Sequence, residues 1–323
     1  MSKLFVYSEE AAVLQELLGK ARQAAGEQGF DQVVTAVFGL TAADNAAAWG
    51  EWGADVVHTV AEADLDTYHP ESYTDALAGI IQQVEPDLVL VGATKRGLEV
   101  SGRVAERLGL GAVSWCIDFS FDQASKTVTA VCLIYTGMGQ NSYHIDTHPA
   151  LATVAPGTFQ PEMAPGRTAE VIATTVAVNP RRLRVLENNE KAEAGRRLQD
   201  APVIVDVGQG VRAREDLALA EELAQLLSGQ VACTRPISSE RDWFPEWLGL
   251  SGLKLSPDIC FTLGVSGSIQ HVIGIRDSKL IVAVNNDESA GIFSQADYGV
   301  QADLYQFVPA LIAAIKARSI HKN

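Results

Sequence analysis

Ile259-Cys260-Phe261-Thr262-Leu263 runs straight into Gly264-Val265-Ser266-Gly267-Ser268-Ile269-Gln270-His271. The first five residues read as a buried strand, and the eight that follow read as a glycine/serine turn opening a short helix. Backbone N–H groups at such a turn point outward without helical partners. Small residues let an anionic ligand approach them closely, and the helix dipole favours negative charge there. His271, one turn further in, adds a group that becomes cationic near neutral pH. Strand, glycine turn and helix in that order are the repeating unit of a parallel α/β sheet, so this stretch sets the expected fold class.

Working outward, the same alternation recurs on both sides. Strands are expected at Leu4–Tyr7, Val33–Phe38, Asp55–Val60 and Asp87–Gly92, with helices at Ala11–Ala25, Ala42–Trp49 and Pro70–Val84. Asp87-Leu88-Val89-Leu90-Val91-Gly92 is a continuous apolar run of the kind buried on both faces of a parallel sheet. After Arg107 the rhythm changes. Val113–Phe119, Thr127–Tyr135, Ala150–Ala155 and Val171–Val178 are strand-like with few helices between, which suggests antiparallel additions to the same domain. A Gly/Pro-rich loop spans 155–166. Residues 187–200 are polar and charged and make the best linker candidate. Beyond it βαβ alternation resumes. Strands are expected at Pro202–Val207, Val231–Thr234, Asp258–Leu263 and Lys279–Val284, and helices at Glu215–Leu227 and Leu304–Arg318. The expected architecture is two α/β domains, residues 1–187 and 201–323 with a linker at 188–200. Each is a mostly parallel doubly wound sheet with flanking helices, the first carrying antiparallel additions.

Composition narrows the function classes. A chain of 323 residues with 47% hydrophobic content can build two normal cores. No apolar run approaches the ~20 residues needed to span a bilayer, and Met1–Tyr7 lacks the features of a secretory leader. The expectation is a cytoplasmic protein with no membrane insertion. The net charge of −15 argues against nucleic-acid binding and against anionic membranes. Cys116, Cys132, Cys233 and Cys260 sit in apolar strand contexts with no C-x-x-C pair, so core thiols are expected, with no metal site. His58, His69, His144, His148 and His321 show no metal-ligand spacing.

Polar groups recur where strands end. Gly92-Ala93-Thr94-Lys95-Arg96-Gly97 follows one strand, and Lys95 and Arg96 are candidates to hold a phosphate, although the loop lacks phosphate-loop spacing and reads better as a structural turn. Val207-Gly208-Gln209-Gly210 is a lone G-x-G, a weak signal. Thr234-Arg235-Pro236 closes another strand, with Pro236 biasing Arg235 toward an extended conformation. In Trp247-Leu248-Gly249-Leu250-Ser251-Gly252, Ser251 offers a hydroxyl where backbone comes close. Asn285-Asn286-Asp287 follows a further strand, and Asp303 starts the last helix, where N-capping is the competing reading. Polar groups at the carboxyl ends of four successive strands in one domain favour a dinucleotide crevice.

Gly264-Val265-Ser266-Gly267-Ser268-Ile269-Gln270-His271, then Ile281–Asp287, then Ile292–Gly299 with Asp303, resembles the alpha subunit of electron-transfer flavoprotein over most of residues 202–312. The loops at 93–97, 235–237 and 248–252 look most like the FixB-type bacterial branch. The resemblance implies a heterodimer with a beta subunit, FAD in the carboxy-terminal domain, and a first domain packed on the beta subunit. It implies an electron carrier rather than an enzyme. The carrier would serve an acyl-CoA dehydrogenase-type or quinone-linked oxidoreductase, and a bifurcating, NADH-linked heterodimer is one variant. Residue by residue, it implies His271 near the flavin C2 carbonyl, Arg235 over the ring system and Ser251 at flavin N5. Ser266, Gly267, Ser268, Ile269 and Gln270 would form the turn around flavin and ribityl chain. Asn285, Asp303 and Leu304 would lie at the adenosine end, with Gln209, Thr234, Leu248, Gly249 and Leu250 completing the site. Gln209 stands where the family has the arginine of Gly-Arg-Gly, Leu250 where it has glutamine, and Asn286 and Gly291 where it has lysine and proline. Gln209 and Leu250 favour the runner-up, a nucleotide-binding regulatory module without redox turnover. A standalone NAD-dependent oxidoreductase is disfavoured by the lack of an acid/base pair beside the crevice.

Overall fold

The computed structural model describes residues 1–137, 139–179, 182–183, 185–187 and 198–320. Residues 188–197 of the expected linker lie outside the described residues. The chain divides into two compact units, Met1–Asn188 and Asn189–Asn323.

In the first unit the elements run β1 (Lys3–Tyr7), α1 (Ala11–Gln28), β2 (Gln32–Phe38), β3 (Val56–Val60), α2 (Pro70–Val84), β4 (Leu88–Gly92), α3 (Lys95–Leu108), β5 (Ala112–Asp122), β6 (Thr127–Ile134), β7 (Gly139–Ile145), β8 (Ala150–Val154) and β9 (Glu170–Ala173). They build one nine-stranded sheet in the order β7-β6-β5-β8-β4-β1-β2-β3-β9. Strand alternation divides its core in two. Leu4 and Val6 pack with Leu14, Leu17 and Leu18 of α1 on one face. Phe5 and Tyr7 pack with Leu77, Ile80 and Ile81 of α2 and Val100 and Val104 of α3 on the other. Successive side chains of β1 therefore feed opposite layers, which is what winding a sheet on both faces requires.

Several expectations need correction here. Antiparallel pairing is confined to β5 with β6 and β6 with β7, and β5 itself joins β8 in parallel. The strands expected at 150–155 and 171–178 are parallel: β8 inserts between β4 and β5, and β9 pairs with β3. β8 follows β7 after only four residues yet has β6 and β5 between it and β7, and β9 joins the opposite edge of the sheet, placements that the strand pattern alone does not reveal. Ala42–Trp49 is not an α-helix. Turns lead through Asn45, in the left-handed region at φ 58°, to a short tight helix at Ala46–Trp52. β7, whose residues are mostly exposed and polar, was not expected as a strand.

The second unit contains β10 (Val203–Val207), α4 (Leu217–Leu226), β11 (Gln230–Cys233), α5 (Arg235–Ser239), β12 (Ile259–Leu263), α6 (Ile269–Val272), β13 (Ile281–Asn285), β14 (Tyr298–Gln301) and α7 (Leu304–Ile320). Its sheet is parallel throughout, in the order β11-β10-β12-β13-β14. Val205 and Val207 face α4 and α7 through Leu223, Val308 and Ile312. Ile204 faces the opposite layer with Leu248, Val265 and Val272. All five residues of β10 are buried, including Asp206. β14 was not expected as a strand; it is short, mostly exposed and includes Gly299. Among the described residues no helix is long and apolar enough to cross a membrane.

The chain leaves β10 toward one edge of the sheet and later returns to β12 on β10's other side. The carboxyl ends of these neighbours therefore diverge into a crevice, the usual ligand position in open α/β sheets. Gly208 closes its base, because a Cβ there would lie 2.4 Å from the Gly264 carbonyl oxygen and 2.7 Å from Val265 Cα. Gly208→Ala is expected to cost about 1–3 kcal/mol through this backbone clash, read as a lowered urea midpoint. Gly102→Ala, in α3 with nothing within 4 Å of its Cβ, is the control and should gain about 0.5–1 kcal/mol.

Candidate functional site

The crevice holds a cleft of about 570 Å³ lined from the ends of β10, β11 and β12, within the range of roughly 300–1,000 Å³ typical of cofactor sites. From β10 come Gly208 and Gln209, and from β11 come Thr234 and Arg235. The loop after α5 contributes Trp247 through Ser251, and the segment after β12 contributes Gly264, Ser266, Ser268, Gln270 and His271. Gln209, Thr234, Arg235, Leu248, Gly249, Leu250, Ser251, Ser266, Ser268, Gln270 and His271 were all named from sequence, and they line one cleft.

Backbone packing explains its glycines. Gly264 and Gly267 have φ of 63° and 82°, conformations glycine adopts without strain. A Cβ on Gly267 would lie 2.1 Å from the Ile292 nitrogen. Gly267 thus shapes the turn without lining the cleft. Ile269 is 55% exposed and does not line it either. The loop from 247 is strapped down by Leu248 N–H to the Cys233 carbonyl (2.8 Å) and Leu250 N–H to the Gln270 carbonyl (2.7 Å). Gly249, at φ 142°, lets it lie against α6.

One local expectation changes. Arg235 is not extended: it opens α5, with Thr234 at the N-cap and Pro236 in the first turn, where proline's missing N–H costs nothing. The guanidinium of Arg235, on an exposed residue, lies 5.9 Å from the Trp247 ring. The helix after Ser266 is only four residues long, so any dipole it contributes is that of about one turn.

A smaller recess adjoins the cleft at Gly264 and is lined by Asn285, Asp303 and Leu304, with Arg212 and Tyr305 among its other walls. Asn285 Nδ2–H donates to the Val265 carbonyl at 2.8 Å and so ties β13 to the turn. Asp303 Oδ1 accepts the Tyr305 N–H at 2.9 Å, which is the capping role. Arg212 was not singled out from sequence. Its guanidinium lies 5.0 Å over the Tyr305 ring, three positions after the uncharged Gln209.

The residue most clearly missed is Asp206. Its Oδ2 lies 2.7 Å from His271 Nε2, while His271 Nδ1 faces the Leu248 carbonyl at 3.1 Å. Asp206 is fully buried and His271 is 6% exposed. Both partners of the ring are acceptors, so beside an ionised Asp206 it donates from both nitrogens, as imidazolium. Burial alone would lower the imidazole pKa, but the Asp206 charge, its hydrogen bond and the Leu248 carbonyl outweigh this and hold it above the usual value. Burial, with the Asp206 charge second, pushes the Cys233 thiol up to about 12 and raises Cys260. The sequence signal was one acid in an otherwise aliphatic strand, Val203-Ile204-Val205-Asp206-Val207. Thr234 Oγ1, Asp206 Oδ1 and Thr262 Oγ1 are buried with no hydrogen-bond partner among the described residues.

In the first unit Thr94 caps α3 through the Gly97 N–H at 2.8 Å and donates to Glu9 Oε1 at 2.5 Å. Arg96 stacks over Tyr68. A carboxylate of the chain thus stands at the helix start where a phosphate was considered, in keeping with the structural reading of that loop. All four cysteines are free and buried. His58 and His144 pair with the hydroxyls of Thr174 and Thr129. His321 lies outside the described residues.

Comparison with known proteins gives two family matches. Residues 7–179 match the electron transfer flavoprotein domain. Residues 197–276 match the electron transfer flavoprotein FAD-binding domain. The chain is 34% identical over 274 residues to the electron transfer flavoprotein subunit alpha of Bacillus subtilis, covering 84% of this chain and 83% of that one. It is 32% identical over 306 residues to the protein FixB of Clostridium saccharobutylicum, covering 93% and 91%. It is also 32% identical over 323 residues to FixB of Escherichia coli, covering 97% and 98%. The likeness therefore extends well beyond residues 202–312, into the first unit.

The His271–Asp206 pair carries a sign for stability against pH. A histidine whose folded pKa is raised stabilises fully below its unfolded value, about 6.5, and that contribution is lost as pH rises through the folded value. Urea midpoints are therefore expected to fall as pH is raised above about 6.5. The double variant Asp206→Asn/His271→Gln should lack this component of the slope.

Proposed function

The chain belongs to the electron transfer flavoprotein family as an alpha-type subunit, and from that premise we propose that it carries electrons on FAD bound in the β10/β12 cleft, within a heterodimer with a beta subunit. The supporting observation is the convergence of Arg235, Ser251, Ser266 and His271 on one cleft at the sheet's switch point. Its glycine-floored walls and the buried, unpartnered Thr234 hydroxyl fit a cofactor with hydrogen-bonding edges.

Bound FAD supplies the electron-accepting ring; the chain's residues supply its environment. In this reading Arg235 places a permanent positive charge toward the ring, favouring the more negative, reduced cofactor. His271, whose N–H groups are engaged by Asp206 and the Leu248 carbonyl, supplies a positively charged ring where negative charge develops. Ser251 offers a hydroxyl to a ring nitrogen. Ser266 through Gln270 form the turn that accommodates the flavin and its ribityl chain. Thr234, Leu248, Gly249 and Leu250 complete the walls, with Gln209 toward the phosphates. Asn285, Asp303 and Leu304 stand toward the adenosine end.

Residues 1–187 form the part that packs on the beta subunit, and residues 201–323 form the FAD-binding part. The partner is an acyl-CoA dehydrogenase-type or quinone-linked oxidoreductase in the cytoplasm; four free buried thiols suit a reducing compartment.

A second reading, a nucleotide-binding module without redox turnover, is favoured by two side chains. Gln209 brings no charge to the cleft, and Leu250 lines it with an apolar side chain that is 50% exposed. Co-expression with the beta subunit separates the two. The purified heterodimer is expected to show a flavin spectrum at about one FAD per alpha chain, and a colourless heterodimer that takes up no added FAD overturns the redox reading. In the loaded heterodimer, Arg235→Ala should lower the cofactor midpoint potential by the equivalent of roughly 1 kcal/mol, as befits a solvent-screened charge. FAD affinity should change less than tenfold by fluorescence titration.

A further inference from the structure

Asp206 is an anomaly of placement. It occupies an interior strand of an all-parallel sheet, is fully solvent-excluded, and shares a face with Ile204 rather than reaching an edge. A buried carboxylate costs several kcal/mol unless it is paired and hydrogen-bonded. Only half of that requirement is met here: Oδ2 contacts His271 Nε2 at 2.7 Å, and Oδ1 has no partner. An apolar side chain would fill the position at lower cost, so a purely structural account of the acid is weak.

The order of groups supplies a better one. His271 lines the cleft and Asp206 does not; it stands behind the ring. The groups around the pair can be named element by element. β10 gives Asp206, the loop before β12 gives the Leu248 carbonyl, β11 gives the Cys233 thiol, and β12 gives the Cys260 thiol and Thr262 hydroxyl. Both thiols are held in their neutral form. Asp206 is thus the charge that acts on the ring, and burial without it would favour the neutral ring.

We propose that Asp206 is a positioning residue for electron transfer, one that locks His271 as a doubly protonated cation with both N–H bonds turned inward, so that the cleft keeps a fixed positive wall across the physiological pH range. This rests on the reading that the cleft receives FAD. The pair has no net charge, but its positive end is toward the cleft and its negative end away, so it favours a cofactor that gains electrons. Such an acid behind a functional histidine fixes ring orientation and proton content together.

The test begins on the full-length chain without cofactor, with ring-labelled histidine followed by NMR against pH. In the wild type the His271 ring is expected to stay doubly protonated well past about pH 6.5, where a free imidazole loses its proton. In Asp206→Asn, which retains a hydrogen-bonding side chain, proton affinity should fall at least tenfold. A wild-type ring that titrates at or below pH 6.5, or a titration unmoved in Asp206→Asn, overturns the proposal, and the wild-type measurement needs no variant to fold. In the FAD-loaded heterodimer, Asp206→Asn and Asp206→Ser should each lower the midpoint potential at pH 8 and introduce a pH break absent from the wild type. A tenfold loss in preference for the reduced cofactor is about 30 mV for a two-electron couple. Potentials that superimpose on the wild type at every pH count against it. If FAD never binds, the functional reading fails while the ring titration still stands or falls by itself.

Discussion

The approach of two backbones without side chains between them governs the second unit. Gly208 N–H donates to the Leu263 carbonyl at 2.9 Å and Gly210 N–H to the Gly264 carbonyl at 3.0 Å. The Cβ positions of Gly208 and Gly210 fall 2.4 Å from the Gly264 oxygen and 2.6 Å from its Cα. The chain is thus pinned where β10 and β12 part. Everything that lines the cleft is hung from that point: the turn through Ser266, the short helix bearing His271, and the loop from Trp247 strapped to β11 on one side and α6 on the other. A larger residue at Gly208 or Gly264 would move these walls together.

The two units use one topological idea to different ends. Each has a place where neighbouring parallel strands send their chains in opposite directions, between β1 and β4 in the first and between β10 and β12 in the second. In the second the glycine floor leaves room, and polar groups converge. In the first, Thr94 spends its hydroxyl on Gly97 and Glu9, and Arg96 lies on Tyr68. Similar winding therefore does not make similar sites; the side chains at the strand ends decide.

Much of this was legible. Strands such as 88–92 and 259–263 are largely apolar on both faces and can be little else, and Pro70–Val84 is a helix with the residues expected of it. The cleft was found because glycine, serine and arginine followed those strands. What escaped depends on long-range geometry. Asp206 and His271 are 65 positions apart, and no local pattern joins them. Within its strand, Asp206 is a single acid in a core segment, and nothing local marks its partner. The parallel pairing of β8 and β9 depends on which strands they come to lie beside, which is fixed by packing and not by strand composition. Arg235 was misassigned because proline at a helix start and proline after a strand have the same local sequence.

The parallel sheet also has a consequence for the order in which the chain is made. β10 emerges early in the second unit, yet the neighbour that pairs with it at the cleft, β12, begins at Ile259 and the ring that meets Asp206 comes later still. Contacts this distant form slowly, after a large loss of chain freedom. Until His271 has left the ribosome, Asp206 has no cation to meet and does best hydrated. The acid inside this interior strand therefore opposes premature closure of an incomplete sheet, and the last wall of the cleft to arrive is also the one that makes burying it favourable.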